Sequence, residues 1–476
     1  MQQIVQDLIS SINDFLWSNV LIIMLVIVGL VFTYKGKFLQ VRMLKDMVGA
    51  IKEGKTGPKD GISPFQAFCI SMAARVGTGN ITGIAIAVAL GGPGSVFWMW
   101  VMAIIGSASS FVESTLAQIY KVKDQDGFRG GPAYYMEKGL NKRWMGALFA
   151  VLITLSFGLV FNAVQSNTIT VAFENSFGTN RLTLGIIMAV VFALIIFGGV
   201  KRIAKWSEYI VIVLAVLYIG MALFIILMNL GKMPAVLSLI VKNAFGFDQI
   251  AGGTLGAAVL HGVKRGLFSN EAGMGSAPNA AATATTSHPV KQGLIQAFGV
   301  LTDTLIICTS TAFIILLSDA YKQPELSGIE LSQAALSAHI GSWASAFLAI
   351  MVFLFAFSTL IGNYYYGETN IEFLKTNKAW LMLYRISVLA MVLFGAVAKV
   401  QLVWDMADLF MGFMVIVNLI AIFLLSKVAF AALRDYTTQK KAGKDPVFYR
   451  DSIDGIENAE AWDFSPGSDV SARKSS

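Results

Sequence analysis

Apolar residues along this chain come in long runs, separated by short polar segments rich in Lys and Arg. With a window of about 19 residues, enough to cross a hydrocarbon core as helix, eleven runs qualify as spans. Their approximate limits are 16–34, 65–90, 94–120, 147–173, 183–200, 207–230, 250–286, 292–317, 343–366, 381–398 and 404–427. Such runs are apolar on every side, so their length rather than helical periodicity makes the prediction. The expected fold is an all-α polytopic membrane protein of about eleven transmembrane helices. The two flanks differ. In residues 1–14, Ile4, Val5, Leu8, Ile9 and Ile12 share one face, the pattern of an outer interfacial helix. After about residue 430 the chain turns polar and carries Lys440, Lys441 and Lys444, which reads as a solvated cytoplasmic tail within reach of anionic membrane lipid.

Composition agrees: 56% of residues are hydrophobic and 14% charged, against roughly 25% charged in an ordinary soluble domain. A soluble enzyme and a disordered chain are both excluded. Cys69 and Cys308 lie inside apolar runs, so no disulfide framework is expected. No Lys or Arg precedes the first run, whereas Lys35, Lys37, Arg42, Lys45, Lys52, Lys55 and Lys59 follow it. A secretory signal is basic at its leading end, so this run reads as a retained helix with its N-terminus outside. With eleven crossings, 27 of the 36 Lys and Arg residues then fall in inner loops and tail. Five (Arg181, Lys232, Lys242, Lys322 and Lys399) fall outside, and four (Arg75, Lys264, Arg265 and Arg385) lie within spans. The net charge of +7 is thus a topology signal for a multi-pass plasma-membrane protein rather than a sign of nucleic-acid binding. His261, His288 and His339 show no metal-ligand spacing, and no GxxxxGK[ST] loop is present.

Two spans are interrupted. The second reads Ala73-Ala74-Arg75-Val76-Gly77-Thr78-Gly79-Asn80-Ile81-Thr82-Gly83, and the seventh reads Gly266-Leu267-Phe268-Ser269-Asn270-Glu271-Ala272-Gly273-Met274-Gly275-Ser276-Ala277-Pro278. Glycine costs a helix about 1 kcal/mol per position relative to alanine, so these clusters invite unwinding. Unwound backbone at membrane depth survives only against protein or a cavity. The same glycines also suit close helix packing, Gly77, Gly79 and Gly83 in particular. Setting aside the first span, the interrupted helices are the first and sixth of ten, each opening a group of five. Five is odd, so the two groups run oppositely through the membrane, as in inverted-repeat transporters. The expected division is an N-terminal part at 1–60, a core at 61–430 with repeats at 65–230 and 250–427, and a tail at 431–476.

Three strings carry a resemblance: VGTGNITGIAIAVALGGPGSVFWMW at 76–100, GGPAYYMEKGL at 130–140 and GLFSNEAGMGSAP at 266–278. Together, and in matching order through the core, they resemble signatures of the alanine/glycine:cation symporter family. The resemblance implies a sodium-coupled symporter of small neutral amino acids, chiefly alanine and glycine, and not an enzyme. It also implies the five-plus-five inverted-repeat architecture of the bacterial leucine and neurotransmitter symporters.

A broken helix offers free N–H groups where its second half starts and free carbonyls where its first half ends, and an amino-acid zwitterion needs both. The substrate carboxylate is expected at Thr78, Gly79 and Asn80, and the ammonium at carbonyls near Phe268 and Ser269, with Asn270 and Gly273 in the same break. Gln165 and Phe161, with Phe157 and Asn162 beside them, face the pocket as wall and cover, although Phe161 equally suits plain packing. Met274 and Phe268 limit room for the side chain. By analogy with the related symporters, a sodium ion is expected at the carbonyls of Ala73 and Val76 with the hydroxyls of Ser358 and Thr359, near Asn363. Those hydroxyls equally suit bonds to their own helix. A second ion near Asn80 is the weaker expectation.

Six ionisable residues fall well inside spans: Arg75, Lys264 and Arg265 against Glu113, Glu271 and Asp303. Charge at mid-membrane costs on the order of 3 kcal/mol, so these are expected to pair. Arg75 with Glu271 is the pair expected across the two breaks, and the partner of Asp303 stays open. Arg75, Glu271 and Asp303 are the candidates for coupling or gating. The alternative is a proton-coupled or exchange transporter of the same build, with Glu271 or Asp303 titrating.

Overall fold

The computed structural model describes residues 2–53, 62–124, 127–197, 213, 216–246, 254–375 and 377–466. In chain order its main elements are α1 (Gln6–Lys35), α2 (Leu44–Glu53), α3 (Pro64–Arg75), α4 (Gly79–Gly91) and α5 (Ser95–Ile119). An antiparallel hairpin follows, β1 (Val122–Asp124) and β2 (Gly127–Arg129), with Val122 opposite Arg129. Then come α6 (Pro132–Lys138), α7 (Arg143–Phe177), α8 (Arg181–Ile196), α9 (Val216–Met228), α10 (Leu230–Ala244), α11 (Leu255–Asn270) and α12 (Ala277–Ala282). The chain closes with α13 (Pro289–Leu316), α14 (Gly328–Ile340), α15 (Trp343–Leu374), α16 (Lys378–Val397) and α17 (Val400–Lys441).

Seven of these helices (α1, α5, α7, α13, α15, α16 and α17) are long and apolar enough to cross a bilayer. Two bent pairs pass the same test as units: α3 with α4, bent by 49°, and α9 with α10, bent by 75°. Eleven crossings require α8 and the α11–α12 pair to span as well. The predicted span ends at 198–200, 207–212, 214–215 and 250–253 lie outside the described residues.

Local chemistry accounts for the helix starts. Ser63 and Gln66 exchange side chain-to-backbone bonds at 3.1 Å in a capping box, with Pro64 in the first turn of α3. Thr254 caps α11 at the Ala257 N–H, and His288 caps α13 at the Val290 N–H. Ile186, Val190 and Leu194 of α8 and Leu383 and Ile386 of α16 remain exposed, as lipid-facing side chains would be. Inside the bundle α13 packs along α5, α7 against α15 and α16, α3 against α15, and α11 against α4 and α5.

Three expectations change. The N-terminal interfacial stretch is not a separate helix: it continues into the first span as α1, where Asn13 donates to Asp405 O at 2.9 Å and Trp17 to Asp408 O at 3.3 Å. Two loops contain helices, α10 and α14, because each segment has an apolar side to bury although both are too short or too polar to be read as spans. The described part of the tail is not wholly solvated. α17 runs to Lys441, and the residues after it fold back, burying Phe448 and Ala459. Phe448 and Trp462 supply the apolar surface that drives this return.

Candidate functional site

The first broken helix parts at 76–78, between α3 and α4. Its freed donors find side-chain oxygens: Gly77 N–H donates to Asn80 Oδ1 at 2.9 Å and Thr78 N–H to Gln165 Oε1 at 3.2 Å. Gly77 leaves the room for this, since a Cβ there would collide with the Thr359 hydroxyl. Gly79 lies against the second broken helix, where a Cβ would sit 3.1 Å from both Phe268 Cδ1 and Ser269 Cα. The two breaks therefore touch directly, and a side chain at position 79 would press them apart by a few tenths of an ångström.

The second break runs from the end of α11 to α12. Glu271 adopts φ +58°, and Gly273 and Gly275 adopt φ +79° and +86°. The freed N–H groups of Gly273 and Gly275 each donate at 3.1 Å to the carboxylate of Glu113 on α5. Asn418 of α17 reinforces the clamp, donating to Glu113 Oε2 and to Gly273 O at 2.9 Å, and itself accepts from the Tyr135 hydroxyl. Glu113 was legible only as a buried charge in need of a partner.

Three π-helical turns carry site residues: Gly79–Gly83 with Asn80, Thr154–Phe161 with Phe157 and Phe161, and Asp303–Cys308. Such turns shift the register of a helix and recur at functional sites. Asp303 joins the broken helices, taking Asn80 Nδ2 at 2.6 Å on one oxygen and the Ser269 hydroxyl at 2.7 Å on the other. Cys308, which its apolar run marked only as a cysteine outside any disulfide framework, lies 3.1 Å from Ser269 Oγ and 3.4 Å from Asn80 Nδ2. Asn270 bonds Thr304 at 3.0 Å and the Ala272 N–H at 3.0 Å, within its own break. Met274, within the break, is fully buried.

At the other side of the first break, Thr359 Oγ1 lies 2.9 Å from Ala73 O and 3.3 Å from Val76 O, and Ser358 Oγ lies 3.5 Å from Ala73 O. Both hydroxyls also approach Phe355 O of their own helix, at 3.1 and 2.8 Å. One turn on, Asn363 is buried and neither its amide nitrogen nor its amide oxygen has a partner. An aromatic ladder flanks the breaks: Tyr366, Phe157, Phe161, Phe268 and Trp404, with successive ring centroids 5.5, 4.5, 4.7 and 4.8 Å apart. Its two ends, the Tyr366 hydroxyl and the Trp404 indole N–H, are buried without partners, as is the Thr78 hydroxyl.

The charge pairing differs from expectation. Arg75 makes no ion pair with Glu271. It donates to Gln296 O at 3.3 Å and lies 3.4 Å from Ser110 Oγ, while Glu271 takes the Ser276 hydroxyl at 2.6 Å. The left-handed backbone at Glu271 turns its side chain onto the start of its own second half-helix. Glu113, Glu271 and Asp303 are held by hydrogen bonds rather than by an ion pair with Arg75. Lys264 and Arg265 do not balance those three carboxylates: both bind Asp408, Lys264 at 2.7 Å and Arg265 through two bonds of 3.0 and 2.7 Å. The Arg265 guanidinium also covers Trp404 at 4.7 Å. Asp405 and Asp408, at the head of the last apolar run, were the signal for this cluster.

Comparison with known proteins accords with this geometry. The profile of the sodium:alanine symporter family matches residues 1–450. A Bacillus subtilis protein named as a probable sodium/glutamine symporter is 74% identical, over 97% of this chain and 97% of its own. A protein of Bacillus sp. strain PS3 named as a sodium/proton-dependent alanine carrier is 41% identical, over 88% and 97%. A manganese transporter from Eremococcus coleocola shares the fold, at a TM-score of 0.51 and 14% identity over 80% of this chain and 81% of that one. The chain therefore belongs to the sodium:alanine symporter family, as a multi-pass membrane protein that carries amino acids by cation-coupled symport and is not an enzyme.

Proposed function

We propose that this protein imports a small neutral amino acid, alanine or glycine, together with sodium by alternating access. The observation that carries this reading is the convergence of the Ala73 and Val76 carbonyls with the Ser358 and Thr359 hydroxyls. Carbonyls freed at a helix break, with hydroxyls from a second helix, suit a hard monovalent cation. A sodium ion held there ties α3 to α15. Moving α3 away scatters its ligands, so the ion stabilises the closed arrangement.

The substrate carboxylate takes the N–H groups of Thr78 and Gly79, displacing Gln165 Oε1 and leaving that amide free to bond the substrate. Its ammonium meets the last carbonyls of α11, near Phe268 and Ser269. Phe161 and Phe268 cover it, and Asn80 and Asp303 tie the two breaks together behind it. Sodium and substrate act on the same break, so each raises the affinity for the other by the same factor. The N-terminus lies outside and the tail in the cytoplasm, with the ten-helix core at 61–430 in the plasma membrane.

Glutamine is the second reading. It is favoured by the 74% identical relative named for it and by the unpartnered polar atoms of Thr78, Asn363 and Tyr366. A buried unsatisfied donor or acceptor costs on the order of 1–3 kcal/mol, which a side-chain amide would offset. The test is uptake of labelled alanine, and separately of labelled glutamine, into proteoliposomes under an inward sodium gradient against equimolar choline. Sodium-dependent alanine uptake blocked by glycine supports the first reading; sodium-dependent uptake of glutamine alone supports the second. Uptake that persists in choline and follows a pH gradient overturns sodium coupling and moves the role to Asp303 or Glu271.

A further inference from the structure

The described part of the tail covers the place where the two broken helices meet on the basic face. Gln118 and Lys121, at the end of α5, are both buried. The Gln118 amide donates to the carbonyls of Ala281 and Ala284, at and just beyond the end of α12. Lys121 Nζ donates to Ala284 O at 2.9 Å and to Gln118 Oε1 at 2.7 Å. Ala284 pairs in turn with Ile62 through a parallel bridge, and Thr285 N–H donates to Ile62 O at 3.0 Å, one residue before Ser63 caps α3. One junction thus joins the start of the first broken helix, the end of the second and the end of α5.

The tail grips this junction at two points. At the first, Phe448 N–H donates to Ser287 O at 2.9 Å, the Ser287 hydroxyl donates to Pro446 O at 3.0 Å, and Asp445 pairs with Lys291 at 2.8 Å. At the second, the Trp462 indole donates to Gln118 O at 3.0 Å and its ring covers Lys121 Nζ at 4.8 Å. The Phe448 and Trp462 rings meet edge to face at 5.1 Å, and Arg450 N–H donates to Asp463 O at 2.8 Å, so the two grips form one folded strap. A polar cleft of about 570 Å³ beside this grip is lined by residues 285–287 and 443–446. The strap is held there by a few hydrogen bonds together with the buried Phe448 and Ala459 and the apolar side chains beside them.

We propose that residues 445–466 are a latch on the inner gate: docked, they hold the junction of α3 and α12 against α5, and undocking precedes opening of a path to the basic face. The inference rests on the alternating-access reading above. In that cycle the half-helices must part from their neighbours on one face at a time. Gln118 and Lys121 touch no part of the substrate site, so they act as positioning residues through the junction. The exposed Asp445–Lys291 pair contributes little; the amide and ring contacts at Trp462 and Phe448 carry the latch.

The test uses the full chain in proteoliposomes. Thr283→Cys, buried in the junction, reports opening through its rate of labelling by a membrane-impermeant maleimide, with the chain carrying only Cys69 and Cys308 as control. Phe448→Ala combined with Trp462→Ala is expected to speed labelling roughly three- to tenfold, the factor that goes with losing one or two such contacts. Conversely, joining Ser287→Cys to Pro446→Cys with a reductant-cleavable thiol cross-linker is expected to stop uptake, and reduction to restore it. Unchanged labelling in the double variant, or full uptake in the bridged protein, overturns the latch. If the double variant folds poorly, the bridged protein decides, since it keeps the Phe448 and Trp462 contacts. Absence of amino-acid uptake by the unmodified chain would instead sink the transport reading, while labelling would still report the latch.

Discussion

The two breaks solve the same problem with opposite chemistry. Each exposes backbone N–H groups in a water-poor interior, where an unpaired donor is costly. At 76–78 those donors meet the neutral amides of Asn80 and Gln165. At 273–275 they meet the carboxylate of Glu113, braced by Asn418. A bond to an ionised acceptor is roughly twice as strong as one between neutral groups. The second break therefore carries its own built-in anion and has no room for another. The first carries neutral oxygens that a substrate carboxylate can displace with a net gain. On this reasoning the carboxylate belongs at the first break alone, and the second serves as a fixed hinge.

Removing the built-in anion has the largest expected effect. Glu113→Ala leaves two buried N–H groups and the Asn418 amide without their acceptor, a loss of about 3–5 kcal/mol. Thermal unfolding in detergent reads this, and Glu113→Gln should lose distinctly less because it keeps one acceptor oxygen. Equal losses would show that the hinge needs the charge itself.

The comparison can also be inverted. Gln165→Glu gives the first break a fixed carboxylate opposite the place proposed for the substrate's own. Apparent amino-acid affinity is expected to fall about 100-fold, or roughly 2.7 kcal/mol, with the thermal midpoint little changed. Normal uptake by this variant would remove the carboxylate from the first break. A smaller effect is expected at the proposed sodium ligands: Thr359→Ala should raise the sodium concentration for half-maximal uptake about tenfold, whereas Thr359→Ser, which keeps the oxygen, should stay near the parent.

The smallest expected effect lies outside the bilayer. Burial pushes the Lys121 ammonium down from 10.5 to about 7, and among the described residues no carboxylate pairs with it. A lowered folded-state value means that the unfolded chain binds more protons between about pH 7 and 10.5, so stability falls as pH drops through that window and levels off below 7. The latch follows the same sign: Phe128 and Trp462 cover the Lys121 ammonium at 4.0 and 4.8 Å, so undocking the strap returns it to water and protonation favours the undocked state. Labelling of Thr283→Cys, normalised at each pH to that of the unfolded chain because the thiolate is the reactive form, is expected to fall about threefold from pH 6 to 8, and Lys121→Met should abolish that fall.

What was legible follows from what a linear pattern can report. Run length marked the long helices, because crossing a bilayer demands consecutive apolar residues, and glycine clusters marked both breaks, because glycine weakens a helix wherever it sits. Thr78, Asn80, Phe161, Gln165, Phe268 and Ser269 are brought together around those breaks, and Ala73, Val76, Ser358 and Thr359 meet beside the first. The charges were legible only as a set. Arg75 and Glu271 turn to different partners because a left-handed residue at 271 redirects one of them. Asp408 took both Lys264 and Arg265 from a position that looked like the flank of a span.

By itself, then, the sequence determined the class of protein, the positions of its long helices and two places where they must fail, since these follow from local solvation and backbone cost. Tertiary structure alone decided which acceptor serves each break, which carboxylate answers each cation, and that the polar tail returns to the ends of α5 and α12. Those choices depend on distances between residues far apart in the chain. In a medium that punishes every unpaired polar group, the nearest suitable partner in space wins, and sequence order does not record it.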